Sequence, residues 1–118
     1  MIKAAHVIIY SKDAEADRAF FRDVLQYPYA DAGHGWLIFE LPPAEVAVHP
    51  SETGGKHELY LVCESVEAFA AAMKGKGVSC SDIEDQGWGR VVSLTLPGGG
   101  QLGVYEARHA SPIEGVGP

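Results

Sequence analysis

The sequence predicts an α+β fold built from two tandem βαβββ modules, at about residues 1–50 and 56–108. Each half opens with a β-rich stretch led by a histidine, continues into one amphipathic helix and closes with short strands separated by glycine and proline turns. A shift of roughly fifty residues lays His6 on His57, and both predicted helices then end together, at Gln26 and Gly77. Neither module can bury a sheet face alone, so we expect the halves to pair with each other or with a second chain.

Length and composition predict one globular domain over residues 1–108, followed by a poorly ordered tail over residues 109–118. The chain has 118 residues, of which 47% are hydrophobic and 21% charged, and its formal charge is -7. This negative charge argues against a nucleic-acid or anionic-membrane partner, because both call for a basic face. The first residues lead straight into a strand without the apolar region of a signal peptide, so we expect a cytoplasmic protein.

The first module is predicted to begin with a strand over residues 2–10. Asp13 is the predicted N-cap of a helix that ends near Gln26, and Pro28 prevents its continuation. Apolar residues recur along this helix at the spacing of one buried face: Ala16, Phe20, Phe21, Val24 and Leu25. Three shorter strands are predicted next, over residues 29–32, 36–41 and 45–49, and residues 51–56 form the connector.

The second module repeats this order, beginning with a strand over residues 57–63. Ser65 is the predicted N-cap of its helix, and Gly77 occupies the position of a left-handed C-cap. The apolar positions of the helix fall on one face: Val66, Phe69, Ala70 and Met73. The last strands are predicted within residues 78–85 and over residues 90–96 and 101–106, and we expect both cysteines to be buried, inert thiols: Cys63 and Cys80.

Four possible metal ligands stand at equivalent strand ends, namely His6, His57, His49 and Glu106. Side chains alternate along a strand, so each of them shares its face with apolar neighbours. Two imidazoles and a carboxylate around a divalent cation offset the desolvation cost of such groups and leave coordination positions open for substrate or oxygen. A lone strand histidine is more often a core or surface residue, and Glu106 alone could be a solvated terminal acid. The repeat relates His6 to His57 and His49 to Glu106, which favours the metal interpretation.

Four features together resemble the vicinal oxygen chelate superfamily over residues 1–108: the paired βαβββ plan, the leading histidines, the helix residues 19–25 and the terminal residues 102–106. That group holds glyoxalase I, extradiol dioxygenases, fosfomycin-resistance enzymes and bleomycin-resistance proteins. The resemblance implies a curled, cup-shaped mixed sheet with the helices on its outer face. It also implies a small-molecule substrate and a homodimer, because the superfamily commonly assembles its cup from modules of two chains.

When the ligand positions of the superfamily are carried over to this sequence, the resemblance implies that a divalent ion such as Fe2+, Mn2+, Zn2+ or Ni2+ is bound by His6, His57 and Glu106. His49 stands where glyoxalase I has a glutamate, so it is either a fourth ligand or a general base, and the candidate catalytic residues are His49 and Glu106. The phosphonate- and potassium-binding loop of the fosfomycin enzymes is not found here, and familiar extradiol dioxygenases are much longer. The bleomycin-binding members lack metal ligands.

The first functional interpretation is therefore a metal-dependent enzyme with lyase, isomerase or dioxygenase chemistry, in which the metal acts as a Lewis acid on a substrate bound through two neighbouring oxygens. The alternative is a non-catalytic protein that binds an apolar or drug-like molecule in the same cup. A purely structural, partner-binding domain is a third interpretation. The candidate substrate-binding residues are Tyr10, Trp36, Tyr60, Trp88 and Arg90.

Overall fold

The structure is a computed structural model that describes residues 6–45, 47–50, 52–54, 56–110 and 112. The helices in this part of the chain are α1 (Ala14–Asp23) and α2 (Val66–Gly75). The strands are β1 (Tyr29–Asp31), β2 (Leu37–Phe39), β3 (Tyr60–Cys63), β4 (Glu84–Asp85), β5 (Gly89–Thr95) and β6 (Gln101–Ala107). The predicted mixed α+β fold is confirmed.

The second module forms a four-stranded mixed sheet in the order β3-β6-β5-β4. Strand β3 runs parallel to β6, and the β5 pairings with β6 and β4 are antiparallel. A parallel pair needs a crossover connection, which α2, β4 and β5 provide between β3 and β6. The first module contributes α1 and the antiparallel hairpin β1-β2.

Both helices begin at the predicted caps. The Asp13 side chain accepts a hydrogen bond from the Ala16 N–H, and the Ser65 hydroxyl oxygen accepts one from the Ala68 N–H. Helix α2 ends at Gly75, and Gly77 has the predicted left-handed backbone, with φ 77°. Helix α1 is shorter than predicted, because the chain leaves the helix after Asp23 and adopts a positive φ at Gln26.

The core lies between the helices and one face of the four-stranded sheet, which we call the helix face. Alternation along β5 and β6 places Val92, Leu94, Leu102 and Val104 on this face, and each is 1 or 2% exposed. Leu94 and Leu102 pack in one cluster with residues of both helices: Phe20, Phe21 and Met73. The predicted phenylalanine core is thereby confirmed, and the two modules share a single hydrophobic cluster.

Two polar contacts also join the modules. The Lys76 ammonium group donates a hydrogen bond to the Val24 carbonyl at the end of α1, over 2.7 Å. The buried Asp17 carboxylate of α1 accepts a hydrogen bond from the Gly98 N–H in the β5–β6 turn, also over 2.7 Å. Both contacts satisfy backbone groups that would otherwise lack partners at a helix end or in a turn.

Two predicted strands differ from the structure. Residues 6–10 form no strand and are exposed, and residues 2–5 of the predicted first strand lie outside the described residues. The described part of the predicted strand 45–49 is also not in a sheet, and Val46 lies outside it. Among the residues that the structure describes, neither segment pairs with a strand. His109, the first residue of the predicted tail, bonds to Tyr105.

No helix among the described residues is both long and apolar enough to cross a membrane.

Candidate ligand-binding face

The four-stranded sheet has a second face, opposite the helices, which we call the open face. The sheet register places Tyr60 beside Gly103, and both Val62 and Val91 beside Tyr105. Tyr60 and Val62 remain 40% and 39% exposed, although they belong to an ordered sheet. This face therefore presents apolar and aromatic surface that neither helix covers.

Three aromatic rings dominate the open face, and we call Tyr60, Trp88 and Tyr105 the aromatic cluster. Each ring contacts the other two edge to face, with centroid distances of 5.0 Å for Trp88–Tyr105, 5.7 Å for Tyr60–Tyr105 and 5.9 Å for Tyr60–Trp88. This geometry is the preferred one for aromatic pairs, because the positive edge of one ring meets the negative face of the next. Tyr105 is buried, whereas Tyr60 and Trp88 keep about 40% of their surface free.

Two glycines allow the rings of the two tyrosines to lie against the sheet. A Cβ atom at Gly103 would stand 2.5 Å from ring carbons of Tyr60, and one at Gly89 would stand 2.8 Å from a ring carbon of Tyr105. Side chains at these positions would displace the rings, since real contacts of a Cβ atom are longer. Glycine is thus the residue that lets a flat aromatic surface form over these strands.

The surroundings of the cluster are acidic. Burial raises the pKa of Tyr60, and the neighbouring Glu58 carboxylate raises it further. Burial likewise raises the pKa of Tyr105, with smaller contributions from the negative charge of Glu45 and from Tyr60. The Tyr105 hydroxyl is 2.9 Å from Nε2 of His109 and bonds to it. Both phenols therefore remain protonated hydrogen-bond donors at neutral pH.

Glu106 and Arg90 lie on the helix face, because they stand opposite each other in the β5–β6 register beside Val92 and Val104. The Val66 N–H, at the start of α2, donates a hydrogen bond to Oε1 of Glu106 over 3.1 Å. The Arg90 guanidinium is 3.9 Å from the same oxygen and forms a 2.5 Å ion pair with Glu67 in the first turn of α2. Both side chains are thus engaged in holding the helix onto the sheet.

The predicted metal ligands do not meet in the single chain. His6, His57 and His49 are exposed, and Glu106 is occupied by the Val66 N–H and by Arg90. Within the described ranges, no three side chains of histidine, cysteine, aspartate or glutamate lie together as a metal site. Among the described residues of one chain, these donors are therefore not assembled as a metal site.

The remaining predicted binding residues divide between two places. Tyr60 and Trp88 meet in the aromatic cluster, as described above. Trp36 lies under the guanidinium of Arg18, whose central carbon is 4.6 Å from the ring centroid, and Tyr10 is 90% exposed. Tyr105 was not among the predicted binding residues. Its signal in the sequence is the alternation of β6, in which it stands between two residues of the opposite face, Val104 and Glu106.

Two clefts lie outside the open face. One, of about 270 Å³, separates the end of α1 from β3 and α2 and is lined by Val24, Leu25, Cys63 and Phe69 among others. The other, of about 500 Å³, runs between α1 and the β1-β2 hairpin and is lined mainly by polar residues, including Arg18, Arg22 and His34. Burial raises the pKa of the Cys63 thiol, with a further contribution from Glu106, so this cysteine is a poor nucleophile.

Comparison with known proteins gives structural matches only. No protein-family profile matches the sequence, and a search of curated proteins finds no significant match. TnmS3, an antibiotic binding protein from Streptomyces sp. CB03234, matches with a TM-score of 0.61 at 21% identity, over 91% of this chain and 99% of that one. An integron cassette protein from the mobile metagenome of Halifax Harbour sewage outfall matches with a TM-score of 0.64 at 20% identity, over 88% of this chain and 98% of that one. A lactoylglutathione lyase from Agrobacterium tumefaciens matches with a TM-score of 0.60 at 15% identity, over 87% of this chain and 92% of that one.

Proposed function

We propose that this chain, which has the glyoxalase-like fold of the vicinal oxygen chelate superfamily, binds a small organic molecule on its open face. The observation that supports this most strongly is the aromatic cluster, which combines a fixed edge-to-face geometry with two rings that keep about 40% of their surface free. An exposed group of large aromatic side chains on a rigid sheet is typical of a binding surface, because it offers apolar area at a low entropic cost.

Two structural neighbours support a small-molecule ligand. TnmS3 is by its description an antibiotic binding protein, and the Agrobacterium protein is by its name a lyase of lactoylglutathione. The glycines at positions 89 and 103 are consistent with the same role, since they keep the tyrosine rings flat against the sheet and their outer faces accessible. The phenol groups of Tyr60 and Tyr105 add hydrogen-bond donors to this apolar surface.

The test is binding of a neutral apolar dye, Nile red, followed by its fluorescence. We expect Tyr60→Leu to weaken binding about threefold to tenfold, as loss of one ring stack removes roughly 1 kcal/mol. Tyr29→Leu is the matched control, because it removes an exposed tyrosine of the first module outside the cluster. Equal binding by wild type, Tyr60→Leu and Trp88→Leu would show that the dye binds elsewhere and would remove the support for this face.

A metal-dependent enzyme is the second candidate, favoured by the shared fold with a lactoylglutathione lyase and by the divalent metals that the superfamily commonly uses. In this proposal His6, His57 and Glu106 would hold the ion, which would supply Lewis-acid chemistry, and His49 would be the general base. The lyase or dioxygenase activity is part of the same proposal. Because one chain does not bring the three ligands together, this site requires a rearrangement or a second copy.

Metal analysis of protein purified without a histidine tag tests the second candidate. We expect bound Fe2+, Mn2+, Zn2+ or Ni2+ to be lost in His57→Ala while the circular-dichroism spectrum stays that of the folded chain. Turnover of methylglyoxal–glutathione hemithioacetal or of catechols after anaerobic reconstitution would then separate lyase from dioxygenase chemistry. Absence of affinity for all four ions would remove this candidate and leave the binding function. The homodimer and the cytoplasmic location are further proposals that accompany either function.

A further inference from the structure

We infer that the open face selects small organic cations that carry an aromatic or other apolar ring system. This inference rests on the proposed function, since it names the class of ligand for the same face. It depends on two observations, namely the exposed rings of the aromatic cluster and the two carboxylates, of Glu58 and Glu45, whose charges act on that cluster.

The aromatic cluster is suited to a cation. Edge-to-face packing leaves parts of the Tyr60 and Trp88 rings exposed, and the face of an aromatic ring carries the negative end of its quadrupole. A ligand cation over a tryptophan or tyrosine face is attracted electrostatically, and tryptophan gives the strongest interaction. A planar cation gains both this attraction and the burial of apolar area.

Carboxylates stand beside two of the three rings. Glu58 precedes Tyr60 by two residues in an extended stretch, and its charge acts on the Tyr60 phenol. Glu45 comes from the first module, and its charge acts on the Tyr105 phenol. The carboxylates therefore approach the cluster from two separate segments of the chain, and they add to a formal charge of -7 for the whole molecule.

Three basic side chains among the described residues on or beside the sheet have acidic partners. Arg90 lies on the helix face in a 2.5 Å ion pair with Glu67, and Arg108 forms a 2.5 Å ion pair with Asp85. Lys56 stands 3.7 Å from Glu58, but the side chains of this pair are 78% and 57% exposed. Such an open surface pair is weak and is screened by salt, so a bound cation can compete with Lys56 for the Glu58 carboxylate.

The test uses three probes of similar shape: the cation 1-methylquinolinium, its neutral isostere 1-methylnaphthalene and the anion 1-naphthoate. The chain has two tryptophans, so the two indole N–H signals in an NMR titration report on the cluster (Trp88) and on a distant site (Trp36), which serves as an internal reference. Trp36→Phe assigns the signals.

We expect the cation to shift the Trp88 signal and to bind about tenfold more tightly than the neutral isostere, with the anion weakest. This preference should fall about threefold or more in Glu58→Gln and in about 0.5 M salt, and it should persist in Glu15→Gln, which removes a carboxylate from α1. Equal affinity of the cation and the neutral isostere, both shifting Trp88, would overturn the charge preference and leave the proposed function. A Trp88 signal that moves with none of the probes would overturn both.

Discussion

The role of Glu106 in the single chain follows from the face of the sheet on which its side chain lies. The alternation of β6 places it on the helix face, where the start of α2 and the Arg90 guanidinium surround its carboxylate. A negative charge at a helix N-terminus is favourable, because it meets the unpaired N–H groups and the positive end of the helix dipole. In the single chain this carboxylate acts as a cap for α2, supplied by a strand 40 residues away.

The first prediction follows from this cap. Glu106→Ala should lower the free energy of unfolding by about 1 kcal/mol, because it removes the acceptor of the Val66 N–H and leaves Arg90 with one carboxylate fewer. Glu106→Gln should cost less, since its amide oxygen can still accept this hydrogen bond. Urea denaturation measures both. A variant pair with unchanged stability but lost metal content would instead support the ligand role of Glu106.

A second prediction concerns the glycine beneath Tyr60. Gly103→Ala should displace the Tyr60 ring and weaken ligand binding at the open face about threefold to tenfold, because the new Cβ atom would stand 2.5 Å from two ring carbons. The strand itself should persist, since the ring is partly exposed and can turn away. Gly100→Ala is the matched control, because no atom lies within 4 Å of its added Cβ. Equal binding by the two variants would contradict the role of Gly103.

At the scale of elements, local chemistry predicted the helices well. The caps Asp13 and Ser65 and the left-handed Gly77 follow from side-chain and backbone preferences that act within a few residues. Residues 6–10 and the described part of residues 45–49 form no strand, and strand formation there depends on distant neighbours. A β-rich sequence shows that a stretch can pair, and a partner strand decides whether it does.

The difference between local preferences and dependence on distant neighbours also explains how much of the site could be predicted. Tyr60 and Trp88 were recognisable from the sequence as aromatic candidates for a binding surface. Tyr105 was missed, and the position of Arg90 on the helix face could not be predicted, because alternation divides a strand into two faces without saying which one the helices cover. That choice depends on where α1 and α2 pack, which is a property of the assembled core.

The ion pair that attaches α2 to the sheet predicts that the free energy of unfolding depends on pH. A hydrogen bond from Arg90 lowers the pKa of Glu67 below its ordinary value of 4.5. A carboxyl group with a lower pKa in the folded state contributes stability above its unfolded pKa and loses it as the pH falls through the folded pKa. We therefore expect urea denaturation to show that wild type loses more stability than Glu67→Gln between about pH 6 and about pH 3. Parallel curves for the two proteins would contradict the ion pair, and Glu15→Gln controls for the loss of a carboxylate.

At the scale of the whole molecule, the union of the two modules depends on a few contacts around a shared core. Asp17 is buried on α1, and its carboxylate accepts the Gly98 N–H of the β5–β6 turn. We expect Asp17→Ala to lower the free energy of unfolding by about 1–3 kcal/mol, because a part-buried donor would lose its acceptor. Asp17→Asn keeps an acceptor oxygen and should cost less. Equal losses in the two variants, measured by urea denaturation, would show that the hydrogen bond is not what joins the modules.

The single chain also leaves apolar surface that a second copy could cover. Residues 6–10 are β-rich yet unpaired, and Val7, Ile8 and Ile9 are 50, 62 and 40% exposed. Strand β3 forms one edge of the described four-stranded sheet, so its outer backbone groups are available to another strand. Pairing of two chains would bury these residues and complete the strands that the first module lacks.

We therefore expect light scattering to find a homodimer, and Ile8→Lys to shift it toward monomer, since a buried unpaired charge costs several kcal/mol. Ile83→Lys is the matched control, because Ile83 is an exposed isoleucine of the second module, 38% accessible and outside residues 6–10. A monomer at every concentration would contradict the homodimer. If both lysine variants remain dimeric, residues 6–10 are not the interface, and the ligands of the proposed metal site would have to meet by a rearrangement within one chain.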